Sequence, residues 1–155
     1  MGDSVRLVEG FGQHSKRRDS ELNIVGALFL LGADGALLMQ LRDENPDLRH
    51  SGMWVPPGGH IEADESVEQG TRREFLEETD YLCRKINWLQ MMEIKHPDWP
   101  TYLLGVFWAL YDGIQKTMCR EGQVLKFIRR EDANMLLIPP FLFILWDKLI
   151  QKLSK

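Results

Sequence analysis

The chain has 155 residues, 44% of them hydrophobic and 27% charged, with a net charge of −4; this is the make-up of an ordinary soluble globular protein, large enough to bury one core without staples. The acidic balance excludes a broad electrostatic footprint for long nucleic acid but leaves small anionic ligands open, because a bound cation supplies the missing positive charge. The first twenty residues lack an apolar run of signal-peptide type, and the greasiest runs, Ile24 to Leu31 and Leu136 to Trp146, fall short of the ~20 residues of a membrane span, so a cytoplasmic protein with no membrane partner is expected.

Residues 1–20 are polar, carry the basic triplet Lys16-Arg17-Arg18 and show no periodicity, which predicts a loose lead-in. The triplet reads either as a solvated arm or as a contact to phosphate or an acidic partner. Residues 21–155 read as a single domain. Leu22 to Leu31 is a near-continuous apolar run and Ala36 to Leu41 a second, separated by Gly32-Ala33-Asp34-Gly35; two strands joined by a turn are expected, the first buried on both faces. Arg42 to Ser51 is polar and suits a loop at the mouth of a site. Met53-Trp54-Val55 reads as a short strand that leads through Pro56-Pro57-Gly58-Gly59 toward a helix from Ser66 to Tyr81.

Beyond that helix, Ile86 to Ile94 and Thr101 to Tyr111 are rich in aromatic and other apolar residues and predict adjacent strands, with His96 to Pro100 as their turn. Val124 to Ile128 is one more strand, Glu131 to Leu136 a short helix, and Phe141 to Lys155 a longer one with apolar residues at 142, 145, 146, 149 and 153. Cys83 and Cys119 have neither metal-ligand spacing nor a framework, so they read as reduced thiols or as two small buried or half-buried hydrophobes.

The helix from Ser66 carries the chemistry. Glu74, Glu77 and Glu78 stand at i, i+3 and i+4 and crowd three carboxylates on one face. Such crowding is unfavourable unless something positive sits there; a hard divalent cation that shares its shell with substrate phosphates is one solution, and a solvated acidic face is the plainer one. From Gly59 the spacing runs Gly, five residues, Glu65, seven residues, Arg73-Glu74, Phe75, one residue, Glu77-Glu78, one residue, Asp80 and Tyr81. This resembles the signature of the Nudix hydrolases, G-x5-E-x7-R-E-U-x-E-E-x-G-U with U apolar, at every fixed position except the last glycine, which here is Asp80.

The resemblance implies an α/β fold, an α/β/α sandwich around a mixed central sheet. It further implies that Glu77 and Glu78 bind Mg²⁺ directly (with Mn²⁺ as a substitute), that Glu74 is a further ligand or a base, and that the carbonyl of Gly58 completes the shell. Gly58 and Gly59 would then let the backbone approach ion and phosphate closely. Arg73 and Glu65 are expected to support the carboxylates. Glu121, in Arg120-Glu121-Gly122-Gln123, resembles the extra metal ligand or general base of MutT-like members, against a surface glutamate in a turn. Arg42 resembles a phosphate-binding arginine, against a solvated side chain. Trp54, Trp88, Trp99, Tyr102, Trp108 and Phe141 are candidates to stack a base, and His60 and His96 to touch substrate. In 8-oxoguanine-selective relatives an asparagine follows a Pro-Pro like Pro139-Pro140; here that position is Leu142, which lacks the paired donor and acceptor of an amide.

The function implied is Mg²⁺-dependent hydrolysis of a nucleoside diphosphate linked to another group, a nucleoside triphosphate or a nucleotide sugar, with a small nucleotide as partner and a monomer or homodimer as the assembly. A hydrolase of a non-nucleotide diphosphate and a nucleotide-binding sensor without turnover are the alternatives, and RNA decapping is discouraged by the acidic balance. Asp80 stands where a left-handed helix exit is wanted, so Asp80→Gly is expected to raise stability modestly and leave catalysis nearly unchanged.

Overall fold

The near-continuous apolar run becomes the central strand. The computed structural model describes residues 2–16 and 23–155. In chain order its strands are β1 (Ser4–Val8), β2 (Asn23–Leu31), β3 (Leu37–Leu41), β4 (Trp54–Val55), β5 (Gly58–His60), β6 (Asn87–His96), β7 (Trp99–Leu110) and β8 (Val124–Ile128). The helices are α1 (Val67–Thr79), between β5 and β6, and α2 (Arg130–Ala133) and α3 (Pro140–Leu153) at the end. The sheet runs β1-β6-β7-β2-β3-β4, with β5 also on β2 and β8 on β3. Among the described residues only β2 and β7 pair in parallel, from Asn23 opposite Tyr102 to Leu31 opposite Leu110, so the sheet is mixed.

Strand alternation divides β2 between two cores. Ala27, Phe29 and Leu31 pack with Leu145, Trp146 and Leu149 of α3, whereas Ile24, Leu28 and Leu30 pack with Val67 and Phe75 of α1. One helix thus covers each face, and the fold is the expected α/β/α sandwich. Full burial of each large side chain contributes roughly 1.5–3 kcal/mol. The indole N–H of Trp146 donates to Gly35 O at 2.8 Å, inside the turn between β2 and β3, so a buried donor is satisfied and α3 is pinned to the sheet. Among the described residues no helix is long and apolar enough to cross a membrane.

Both ends of α1 are closed by distant backbone. Ser66 accepts from Gln69 N–H while the Gln69 side chain accepts from Ser66 N–H, a capping box. The N–H groups of Val67 and Glu68 donate to Ser15 O and Gln13 O, both at 2.9 Å, which satisfies the remaining first-turn donors. At the far end Asp80 takes the left-handed conformation with φ 59°. Met118 N–H donates to Thr79 O at 2.8 Å and Arg120 N–H to Glu78 O at 3.0 Å, so the loop after β7 lies across the helix exit.

Several expectations are corrected. The lead-in is not loose throughout: residues 4–8 form β1, an edge strand whose register runs from Ser4 opposite Lys95 to Val8 opposite Met91, and residues 13–16 lie against the start of α1. Arg17 and Arg18 of the basic triplet fall outside the described residues. Gly58 and Gly59 belong to a short strand rather than a plain turn, because β5 pairs with β2 from Ala27 to Val25. The β6–β7 hairpin is tighter than expected: His96 pairs with Trp99 across Pro97-Asp98, so Trp99 and Pro100 lie inside β7. Cys83 is buried but Cys119 is exposed, and both are free thiols.

The structure also changes the expectation for Asp80. Its carboxylate accepts from Arg120 Nη2 at 2.7 Å and Nε at 3.2 Å, which anchors the loop that carries Glu121. Asp80→Gly relieves the left-handed backbone but releases Arg120. The melting temperature is expected to stay within about 2 °C of wild type, while turnover falls severalfold; calorimetry and kcat measured together would show a clear stability gain if the ion pair were idle.

Candidate active site

Gln40 is the one polar residue in the apolar run of β3, and it is buried. Its amide Nε2 donates to Glu78 Oε2 at 3.2 Å, and Gly58 N–H donates to the same oxygen at 3.2 Å. Glu78, on the last full turn of α1, therefore sits where β3 and β5 part, with only 6% of its surface exposed. Burial pushes its carboxyl up to about 9, reinforced by Glu121 and Glu74, while the Gly58 N–H opposes the shift. Burial also raises the Glu74 carboxyl, against the pull of Arg73. The charges acting on Glu78 are thus negative, and they come from Glu74 and Glu121; Glu77, the third acid of the expected face, is not among them.

Arg73 orders the other carboxylates. Its fork meets Glu65 with Nε at 2.6 Å and Nη2 at 2.8 Å, its Nη1 donates to Glu74 at 3.0 Å and to Glu77 at 3.3 Å, and Nη2 also reaches His60 O at 3.2 Å. The guanidinium holds the Glu65 carboxyl below its usual range, and Glu65 in turn holds the proton on Arg73 more tightly. A lysine at this position would offer one point charge in place of a planar fork that spans three acids.

One cleft of about 480 Å³ gathers Gly58, Gly59, Glu74, Glu78, Glu121 and Arg42. Val25, Ala27 and Leu104 give it an apolar wall. Arg73, Glu65 and Glu77 do not line it; they stand behind Glu74, with the Glu77 side chain 58% exposed. Among the described residues no group of three or more His, Cys, Asp or Glu side chains is already gathered as a metal centre; Glu77 is paired with Arg73 and does not line the cleft. The donor set nevertheless fits a hard divalent cation: Glu121 and Glu74 raise the proton affinity of the buried Glu78, Glu121 also raises that of Glu74, and oxygen is the ligand such an ion prefers.

The packing of the fold gives the two glycines a reason of its own. A Cβ on Gly58 would lie 2.0 Å from Gly26 O, and one on Gly59 would lie 2.4 Å from the Glu74 carboxyl. Close approach of β2 and of α1 excludes side chains here, so this pair sets how near the acids come to the sheet.

Of the candidate aromatic residues, Trp99, Tyr102 and Phe141 line the cleft, and so does Leu142. Trp54, Trp88 and Trp108 do not: Trp54 is buried under Lys126, Trp88 packs edge-on against Phe107, and Trp108 joins the α3 core. His60 lines the cleft, whereas the His96 ring accepts from Asp98 N–H in the hairpin turn. Gln40, Arg49 and His50 also line it and were not singled out from the sequence. Only Gln40 had a readable signal, as a lone amide among buried aliphatics.

A Danio rerio protein, m7GpppN-mRNA hydrolase NUDT17, is 35% identical over 88 residues, which is 53% of this chain and 28% of that protein; the chain thus spans little more than a quarter of the length of that curated relative. A MutT protein from Methanosarcina mazei shares the fold with a TM-score of 0.69 at 19% identity, over 90% of this chain and 100% of that one. The NUDIX domain of Shewanella oneidensis NrtR, solved with ADP ribose, gives a TM-score of 0.71 at 21% identity, over 86% of this chain and 90% of that one. The family model for the NUDIX domain matches residues 22–140, a span that contains α1, its carboxylates and the cleft apart from Phe141 and Leu142, and the chain belongs to the Nudix family.

Proposed function

We propose that this chain is a Mg²⁺-dependent hydrolase, with Mn²⁺ able to substitute, that cuts the phosphoanhydride of a nucleoside diphosphate linked to another group, a nucleoside triphosphate or a nucleotide sugar. The observation that carries the reading is Glu78, buried in the cleft with Glu74 and Glu121 as its charged neighbours. Glu78, Glu77 and Glu74 are the residues that would hold the ion, with Glu121 and the Gly58 carbonyl to complete the donors. When bound, the ion supplies charge neutralisation for the phosphate oxygens and lowers the pKa of a water. Gln40 and the Gly58 N–H hold the Glu78 carboxylate in one orientation. Arg42, on the same cleft, neutralises phosphate. Either Glu121 or Glu74 takes the proton from the attacking water, and Arg73 positions Glu74 without touching substrate.

Similar proteins bear names that point the same way: one is a hydrolase of capped mRNA, another an Ap4A hydrolase from C. elegans, and a third was solved with ADP ribose. Each of those ligands contains a phosphoanhydride beside a nucleoside. The catalytic residues fall within 21–155, with β1 and residues 13–16 packed onto that unit, and the free thiols Cys83 and Cys119 suit the cytoplasm. The deciding experiment is a panel of canonical and oxidised nucleoside triphosphates, nucleotide sugars, ADP-ribose, Ap4A and a capped RNA end, each with Mg²⁺. The expected result is release of a nucleoside monophosphate from at least one of them; tight nucleotide binding with no cleavage anywhere would establish a sensor instead.

A further inference from the structure

The cleft holds a second crowd of like charges, of the opposite sign. Arg49 and His50, in the loop between β3 and β4, line it together with Arg42. Arg42 Nε, Arg49 Nε and His50 Nε2 are buried without a hydrogen-bond partner, and so is Asp3 Oδ1 beside them. Neither arginine forms a salt bridge among the described residues. Burial and the neighbouring Arg42 lower the basicity of Arg49, and burial together with Arg42, Arg49 and His96 depresses the His50 imidazole to about 4; Asp3 is the acid that opposes both shifts.

The guanidinium of Arg49 is set in place before any ligand arrives. It lies 4.0 Å over the Tyr102 ring, and its Nη2 donates to Pro100 O at 2.8 Å. That position covers a face of Tyr102, so the ring serves as a support for Arg49 rather than as a stacking partner for a base. His50 takes a left-handed φ of 56°, which is strained for a residue with a side chain and keeps the loop folded toward the cleft. Two neighbouring guanidiniums without a salt-bridge partner cost free energy, and an arriving anion removes that cost; a fixed planar fork suits phosphate in particular.

We propose that Arg49, with Arg42 and His50 beside it, binds a second anionic group of the substrate, a phosphate monoester separate from the scissile diphosphate. The substrate class is then a nucleoside diphosphate derivative that carries an extra phosphate on its sugar or on the group it is linked to. Asp3 is the resident counter-charge, which the incoming phosphate must outcompete. The proposal rests on the hydrolase reading for its scissile bond but concerns a different part of the cleft.

Matched pairs that differ by one phosphate monoester test it: ADP-ribose with 2′-phospho-ADP-ribose, and dephospho-coenzyme A with coenzyme A. Dissociation constants by calorimetry and kcat/KM with Mg²⁺ would be measured for wild type, Arg49→Gln, Arg49→Lys and Asp3→Asn. In at least one pair the wild type is expected to favour the phosphorylated member by about tenfold or more. Arg49→Gln should bring that ratio to near one, Arg49→Lys should leave it intermediate, and Asp3→Asn should raise it. A wild-type ratio near one in both pairs, or a ratio unchanged in an Arg49→Gln protein of normal melting temperature, overturns the proposal. If Arg49→Gln does not fold, the lysine and Asp3 variants decide it by the same ratios. Absence of all hydrolysis would defeat the hydrolase reading alone, because the binding ratios still decide the second site.

Discussion

Glu78→Gln is expected to lower kcat by about a thousandfold or more while the protein folds and, in EDTA, melts at a higher temperature than wild type. Glutamine has nearly the shape of glutamate and keeps a carbonyl oxygen that can accept from the Gly58 N–H and the Gln40 amide, the two contacts that fix Glu78 now. It removes the charge that Glu74 and Glu121 oppose in a buried position. Such a site costs stability in the absence of its ion, so neutralising it relieves the folded state. Steady-state kinetics and scanning calorimetry on the same preparation separate the outcomes. Near-normal kcat would remove Glu78 from the metal site, and a lost activity accompanied by a lower melting temperature would make the residue structural.

Chelation is expected to have the other large effect. EDTA should abolish hydrolysis and leave the fold intact; Mg²⁺ should restore the rate, and Mn²⁺ should substitute. Added Mg²⁺ should also raise the melting temperature, since an ion that binds only the folded state at a hundred times its Kd stabilises it by about 2.7 kcal/mol. Potassium chloride of matched ionic strength is the control, because screening alone weakens the repulsion between carboxylates. Glu77 is the donor that has to move: its bonds to Arg73 at 3.3 and 3.4 Å would be given up, while the two shorter bonds from Arg73 to Glu65 remain. A rate undiminished by EDTA would remove the metal from the reading.

The parts of the fold legible in the sequence were those in which local pattern and tertiary role agree. β2 reads as apolar at almost every position because both of its faces are covered, and α3 shows helical spacing because a single stripe of it faces the sheet. The α1 boundaries follow from Ser66, Gln69 and Asp80, whose side chains or dihedrals do the capping. β1 was not legible: it sits at the sheet edge, Val5 and Leu7 remain exposed, and its contribution is backbone pairing with β6. β5 was hidden for a related reason, since Gly58 and Gly59 have poor strand propensity and are there to let β2 and α1 approach.

The same division holds in the cleft. Carboxylates at fixed helical spacing announce themselves, whereas Arg49 and His50 lie in a polar loop with no periodicity; Arg49 is placed by Tyr102 and Pro100 more than fifty residues later, and His50 lies against Phe141. Which aromatics reach the cleft was a matter of strand register. Tyr102 and Leu104 share the face of β7 that packs toward α3, and Leu103 and Phe107 share the other.

The loop laid across the end of α1 has a further consequence for how the protein opens. The amide protons of Met118 and Arg120 are held by Thr79 O and Glu78 O, so these N–H groups can exchange with solvent only when the loop lifts from the last turn of the helix. That turn carries Glu78, and the residue after Arg120 is Glu121. Fraying at this corner therefore separates two of the acids in a single event, and the protection of two loop amides in D₂O becomes a gauge of how often the site comes apart.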